Sequence, residues 1–147
     1  MTVTASPAAA RAGQTALGRT LLVGLLAGLA AGVANILVYF VAGALGAPLL
    51  VPMGGPGAPA TPLPILAIVV ACTVPAIAAA ALYWALGRLT RRATTIFLVV
   101  AAAFALLSLG GPLSLPVELS TRLSLSAMHL VAGALIVAGL TRSARQG

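Results

Sequence analysis

Residues 20–45 read TLLVGLLAGLAAGVANILVYFVAGAL, 26 consecutive positions without a charged side chain. As a helix this stretch extends about 39 Å at ~1.5 Å per residue, enough to cross a hydrocarbon layer of ~30 Å. Helix is the expected conformation, because a lone segment in lipid must satisfy its own backbone hydrogen bonds. One side of it carries small and polar residues. Gly24, Gly28 and Gly32 follow at four-residue spacing, then Asn35, Tyr39 and Gly43, and all six project within an arc of about 100°. Glycines on one face let two helix backbones approach closely, which is how membrane helices pack when water supplies no driving force between them. That face predicts either a packed seam inside one chain or a homodimer interface.

Outward from this run the chain stays apolar. No charge occurs between positions 20 and 87, nor between 93 and 117. Three more segments of near-spanning length follow, at about 65–86, 94–110 and 118–141. The composition agrees: 61% of the residues are hydrophobic, 6% are charged, and the mean hydropathy is +1.17. A soluble domain carries about a quarter charged residues, and this chain has no such surface to offer water. The short alternating segments of a β-barrel are missing as well. The expected fold is all-α: a polytopic four-transmembrane-helix bundle over 20–142. Residues 1–19 and 143–147 are expected as cytoplasmic tails, the first flexible. Residues 46–64, with six prolines and four glycines, are expected as an extracytoplasmic loop without regular structure, lying on the membrane or folding over the bundle mouth.

Charge sets the orientation. Of eight arginines, Arg11, Arg19, Arg88, Arg91, Arg92, Arg142 and Arg145 fall on one side of such a bundle and only Arg122 on the other. An arginine excess marks the cytoplasmic side, so both termini are expected inside, in a bacterial inner membrane. Glu118, the only acid, stands four residues before Arg122, the favourable order for a helical ion pair. Arg88, Arg91 and Arg92 are expected to contact anionic phospholipid headgroups. The formal charge of +7 is therefore membrane-directed, and no nucleic-acid partner is expected. A cleaved signal peptide is the rival reading of the first run, but its apolar stretch far exceeds the ~7–15 residues of a signal core.

The chemistry-bearing residues are few. Along the fourth segment Glu118, Arg122, Ser126, His129 and Gly133 share one side, a polar stripe descending toward mid-membrane. His129 is the one ionisable residue clearly inside a span, and such a residue is a functional candidate by default. Asn35 and Thr73 lie at similar depth and are its candidate partners, forming with Ser126 an intramembrane polar site. The ordinary reading of the same residues is interhelical hydrogen bonding at about 1 kcal/mol per contact. Cys72 is expected as a packing residue, Pro75 as a kink, and Tyr83 and Trp84 as interfacial anchors. With one Cys, one His and one acid there is neither a disulfide nor a metal-ligand set. No nucleophile–base pair can be assembled either, so no cofactor and no catalysis are expected.

Ala34-Asn35, Ser108-Leu109-Gly110-Gly111-Pro112 and Met128-His129-Leu130 resemble an uncharacterised family of small four-helix membrane proteins, mostly actinobacterial, catalogued as a domain of unknown function. The resemblance covers roughly 20–142. It implies the architecture but no activity, and it points to Asn35, Ser108, Pro112 and His129 for testing. Two functions remain open from the sequence. One is a non-catalytic bundle that binds a partner subunit, lipid or small apolar ligand, with homo-oligomers possible. The other is a small transporter or channel-like protein using the stripe from Glu118 to His129.

Overall fold

The computed structural model describes residues 7–54 and 58–145. Four helices dominate it: α1 (Pro7–Ala44), α2 (Ile65–Leu89), α3 (Ala93–Ser114) and α4 (Leu119–Arg145). Each is long and apolar enough to cross a membrane. The first helix begins earlier than expected, so positions 7–19 continue the helix instead of forming a tail. Pro7 opens it, the position where a missing N–H costs nothing and the fixed φ suits the helix. The expectation for residues 1–6 lies outside the described residues.

Close backbone contact between α1 and α2 sets the packing. A Cβ placed on Gly24 would lie 2.5 Å from Ala80 Cβ and 2.9 Å from the Ala76 carbonyl oxygen. One on Gly28 would lie 2.8 Å from Ala76 Cβ and 2.9 Å from Thr73 Cα. At Gly32 the nearest atom, Val69 Cα, is 3.6 Å away, an ordinary contact. The partner number falls as the glycine number rises, so the helices are antiparallel. On α2 the matching face is Ile68, Cys72, Ala76 and Ala80, all buried at four-residue spacing. The glycine face is thus used within the chain, although Gly43, on the same arc, has nothing within 4 Å.

On its other flank α1 meets α4. Gly139 would bring a Cβ to 2.9 Å from Ala27 Cβ, a third glycine contact that the four-residue pattern did not mark. α3 packs on α4 and α2 with little burial of its own, Phe97 and Pro112 being its two buried residues. Phe97 fills the arginine-rich end of the core, its ring 4.8 Å from that of Tyr83, whose hydroxyl lies 3.0 Å from Thr94 Oγ1. Trp84 sits under Arg88, whose guanidinium carbon is 5.2 Å from the ring centroid. Gly111 and Pro112, past the expected end of the third segment at 110, belong to the last turns of α3. Ser108 and Ser114 hydroxyls donate to the carbonyls of Ala105 and Gly111 there, the local re-bonding that lets membrane helices tolerate Gly and Pro.

The connection 46–64 is not structureless. α1 ends in a Schellman cap: Ala47 N–H donates to the Ala42 carbonyl and Gly46 N–H to that of Gly43, both at 3.0 Å. Gly46 takes φ +91°, a conformation glycine adopts freely. Strands β1 (Leu50–Pro52) and β2 (Ala60–Pro62) then pair antiparallel, Val51 opposite Thr61. The hairpin presses Val51 into a cluster with Leu125, Met128, Val38, Tyr39, Leu63 and Leu115. Of the two placements left open by the sequence, the hairpin folds over the bundle. Pairing prevails over the proline content because Pro52 and Pro62 stand at strand ends, where a missing donor is tolerated.

The glycine contacts yield a position-specific expectation. Gly28→Ala should destabilise the bundle by about 1–3 kcal/mol, since the neighbouring atoms are the Ala76 Cβ and the α2 backbone, which cannot yield without moving the helix. Gly32→Ala should be close to neutral. Thermal unfolding in mild detergent checks both, and equal melting of the two variants would contradict this packing.

Candidate functional site

Asn35 is the centre of the polar interior. It is 3% exposed, and its Nδ2 donates 2.9 Å to the Met128 carbonyl of α4 and 3.3 Å to Cys72 Sγ of α2. One amide therefore ties three helices together. The Asn35 Oδ1 is buried without a partner.

The other residues of the expected intramembrane site do not converge on it. Thr73 Oγ1 donates to the Val69 carbonyl at 2.8 Å and Ser126 Oγ to that of Arg122 at 2.8 Å, each within its own helix. His129 is exposed on the flank of α4, and its Nδ1 lies 2.9 Å from the Leu125 carbonyl oxygen. A carbonyl only accepts, so Nδ1 carries the proton in this contact, and the other ring nitrogen, Nε2, is an acceptor whenever the ring is neutral. Asn35 thus meets the backbone of Met128 while the neighbouring imidazole turns away. Cys72, one residue before the expected partner Thr73, faces Asn35 because it shares the buried stripe with Ala76 and Ala80.

The outer-rim pair also differs from expectation. Glu118 accepts from Ser120 Oγ at 3.5 Å, while Arg122 Nε is buried without a hydrogen-bond partner. Their link is through the backbone, Arg122 N–H donating to the Glu118 carbonyl at 3.0 Å. One turn of α4 also holds Thr121, fully buried with an unpartnered Oγ1. Its one signal in the sequence is its place at i−4 and i−7 from Leu125 and Met128, which are also buried. Along α4 the inner side is therefore Thr121, Leu125 and Met128, and the polar stripe Arg122, Ser126, His129 and Gly133 borders it on an open flank. Gly133 has nothing within 4 Å of where a Cβ would stand.

Four packed, apolar, spanning helices with a hydrogen-bonded polar core define a multi-pass helical membrane protein. Within that class the sequence matches the family of unknown function DUF6069 over residues 15–146, and the chain belongs to it. No curated protein and no solved structure matches.

The three-helix tie predicts which pairs are coupled. Asn35→Ala should cost about 1 kcal/mol, and its effect should be non-additive with Cys72→Ala by about 0.5 kcal/mol or more. With His129→Leu it should be additive. A double-mutant cycle in detergent measures both terms, and coupling to His129 in place of Cys72 would contradict the geometry.

Proposed function

We propose that the protein is a non-catalytic, multi-pass component of the bacterial inner membrane, with both termini cytoplasmic, that docks a different membrane protein against the polar flank of α4. The orientation rests on the arginines: α1 and α2 are antiparallel, as are α1 and α4, so the arginines at 19, 88, 91, 92 and 142 gather at one end. Arg122 and Glu118 stand at the other, beside the hairpin. An asymmetry of that size marks the cytoplasmic face.

The exposure of His129 carries the docking reading. Arg122 and Arg142 are 142 − 122 = 20 residues apart, about 30 Å along a helix, and so bracket the hydrocarbon part of α4. His129 lies about 10 Å inside that boundary, with an acceptor nitrogen open to the flank. Lipid tails supply no donor at such depth, and an intramembrane polar group needs one. A partner helix with a hydroxyl or amide at matching depth meets the need. A second copy of this chain fits less well. Symmetric interfaces must be self-complementary, and at this depth the stripe offers only acceptors: His129 Nε2 and Ser126 Oγ, whose proton is already given to Arg122 O. Transport along the stripe is less supported, because Asn35 is held in the packing between three helices.

A photo-crosslinking amino acid at position 133, in native membranes, should form an adduct with one heterologous membrane protein. His129→Leu should remove that adduct while shifting stability by no more than about 0.5 kcal/mol. Self-adducts alone, or an adduct indifferent to His129→Leu, would refute the docking reading. Orientation has its own test: reporter fusions at residues 57 and 147 should report opposite sides of the membrane, and agreement between them would overturn it.

A further inference from the structure

We propose that the arginine-rich end of the bundle holds a specific site for the phosphate headgroup of an anionic phospholipid, built between α1, α2 and α4. A cavity of about 220 Å³ opens there, with Arg19, Thr20, Tyr83 and Ser143 as its polar lining and Val23 and Leu140 among its apolar residues. It is separate from the α4 flank and from the Arg88–Arg92 turn.

Charge indicates the occupant. The chain has one acid, Glu118, which lies 143 − 118 = 25 residues along α4 from Ser143, about 37 Å away. Among the described residues no carboxylate reaches Arg19. A guanidinium bordering a cavity presents five N–H donors in a fixed fork suited to phosphate, so the counter-charge comes from outside. The helical C-terminus of α4 supplies only a partial negative charge, which does not neutralise the cation.

The hydroxyls complete the site. Thr20 Oγ1 already donates to the Ala16 carbonyl at 2.8 Å, so it contributes shape and no donor. Tyr83 and Thr94 share one hydrogen bond at 3.0 Å in which either oxygen is able to donate. When Thr94 donates, the Tyr83 proton is free for the cavity. Arg19, Tyr83 and Ser143 then border one cavity with donors, beside the apolar Val23 and Leu140, at the level where Arg142 marks the membrane interface. A headgroup with an attached acyl chain fits that combination, whereas a free ion would leave Val23 and Leu140 facing water.

The test is thermal unfolding of the detergent-purified full chain, titrated with phosphatidylglycerol, phosphatidylcholine or inorganic phosphate. Phosphatidylglycerol alone should stabilise the wild type. Arg19→Gln should weaken that response about tenfold or more, as expected for losing a charge-assisted hydrogen bond. Ala16→Trp, which keeps the charge but fills the cavity mouth, should weaken it similarly, and Arg142→Gln, at an exposed arginine of the same end that does not line the cavity, should leave it unchanged. Both Arg19 and Ala16 are exposed, so lipid-free melting should remain at the wild-type value. The site is overturned if Arg19→Gln responds like the wild type, or if Arg142→Gln loses as much. It is equally overturned if phosphatidylcholine protects as well, or if inorganic phosphate alone gives the full shift.

Discussion

The backbone approach of α1 to α2 at Gly24 and Gly28 is the constraint from which the remaining architecture follows. In lipid the apolar effect that gathers soluble helices is absent, and association depends on dispersion contacts and hydrogen bonds at short range. Ala76 and Ala80 on α2 are small enough to let the two backbones meet. That closeness brings Cys72 within reach of Asn35, and the same amide continues to the carbonyl of Met128 on α4. Larger residues at the seam would move α2 outward and detach the first of these bonds. Steric fit and polar satisfaction are therefore one arrangement, established along one side of α1.

That arrangement also separates interior polarity from peripheral polarity. Asn35 bridges helices, while Thr73, Ser126 and Thr141 return their protons to carbonyls four residues back. Such back-bonded hydroxyls are nearly silent in lipid, since their donors are spent locally. His129 and Arg122 are different: each keeps a polar atom for which the described residues provide no partner.

Much of this was legible beforehand, for physical reasons that can be named. A spanning helix must be long, apolar and self-bonded, so residues 65–86 located α2 closely, and residues 20–45 located the end of α1 but not its start at Pro7. Glycine spacing located the seam, and the open choice between an internal and a dimeric contact was settled by Ala76 and Ala80. Other features were hidden by local chemistry. Thr73 was chosen as a polar partner for its depth while Cys72 was read as a packing residue, yet one residue is ~100° of helix rotation, and rotation decided the matter. The approach of His129 to Asn35 was inferred from their similar depth and from the polar face of each helix, but the polar face of α4 is not its buried face, which is Thr121, Leu125 and Met128. Prolines in 46–64 argued against strands, but a three-residue ladder tolerates them at its ends. The last turns of α3 looked like a loop because Gly and Pro signal breaks in water more reliably than inside a bilayer.

The modest burial of α3 bears on how the protein is built during synthesis. α1 and α2 emerge first and possess a complete mutual surface, so they are able to pair while the rest of the chain is still being made. α3 then arrives with little to bury beyond Phe97 and Pro112. The groups that complete α1, Gly139 against Ala27 and Met128 against Asn35, come about a hundred residues later in the chain. Until they do, the Asn35 amide retains an unspent hydrogen in lipid. The third helix acts as a spacer in time, carrying the chain back across the membrane so that the fourth arrives antiparallel to the first, and the interior closes with the last helix translated.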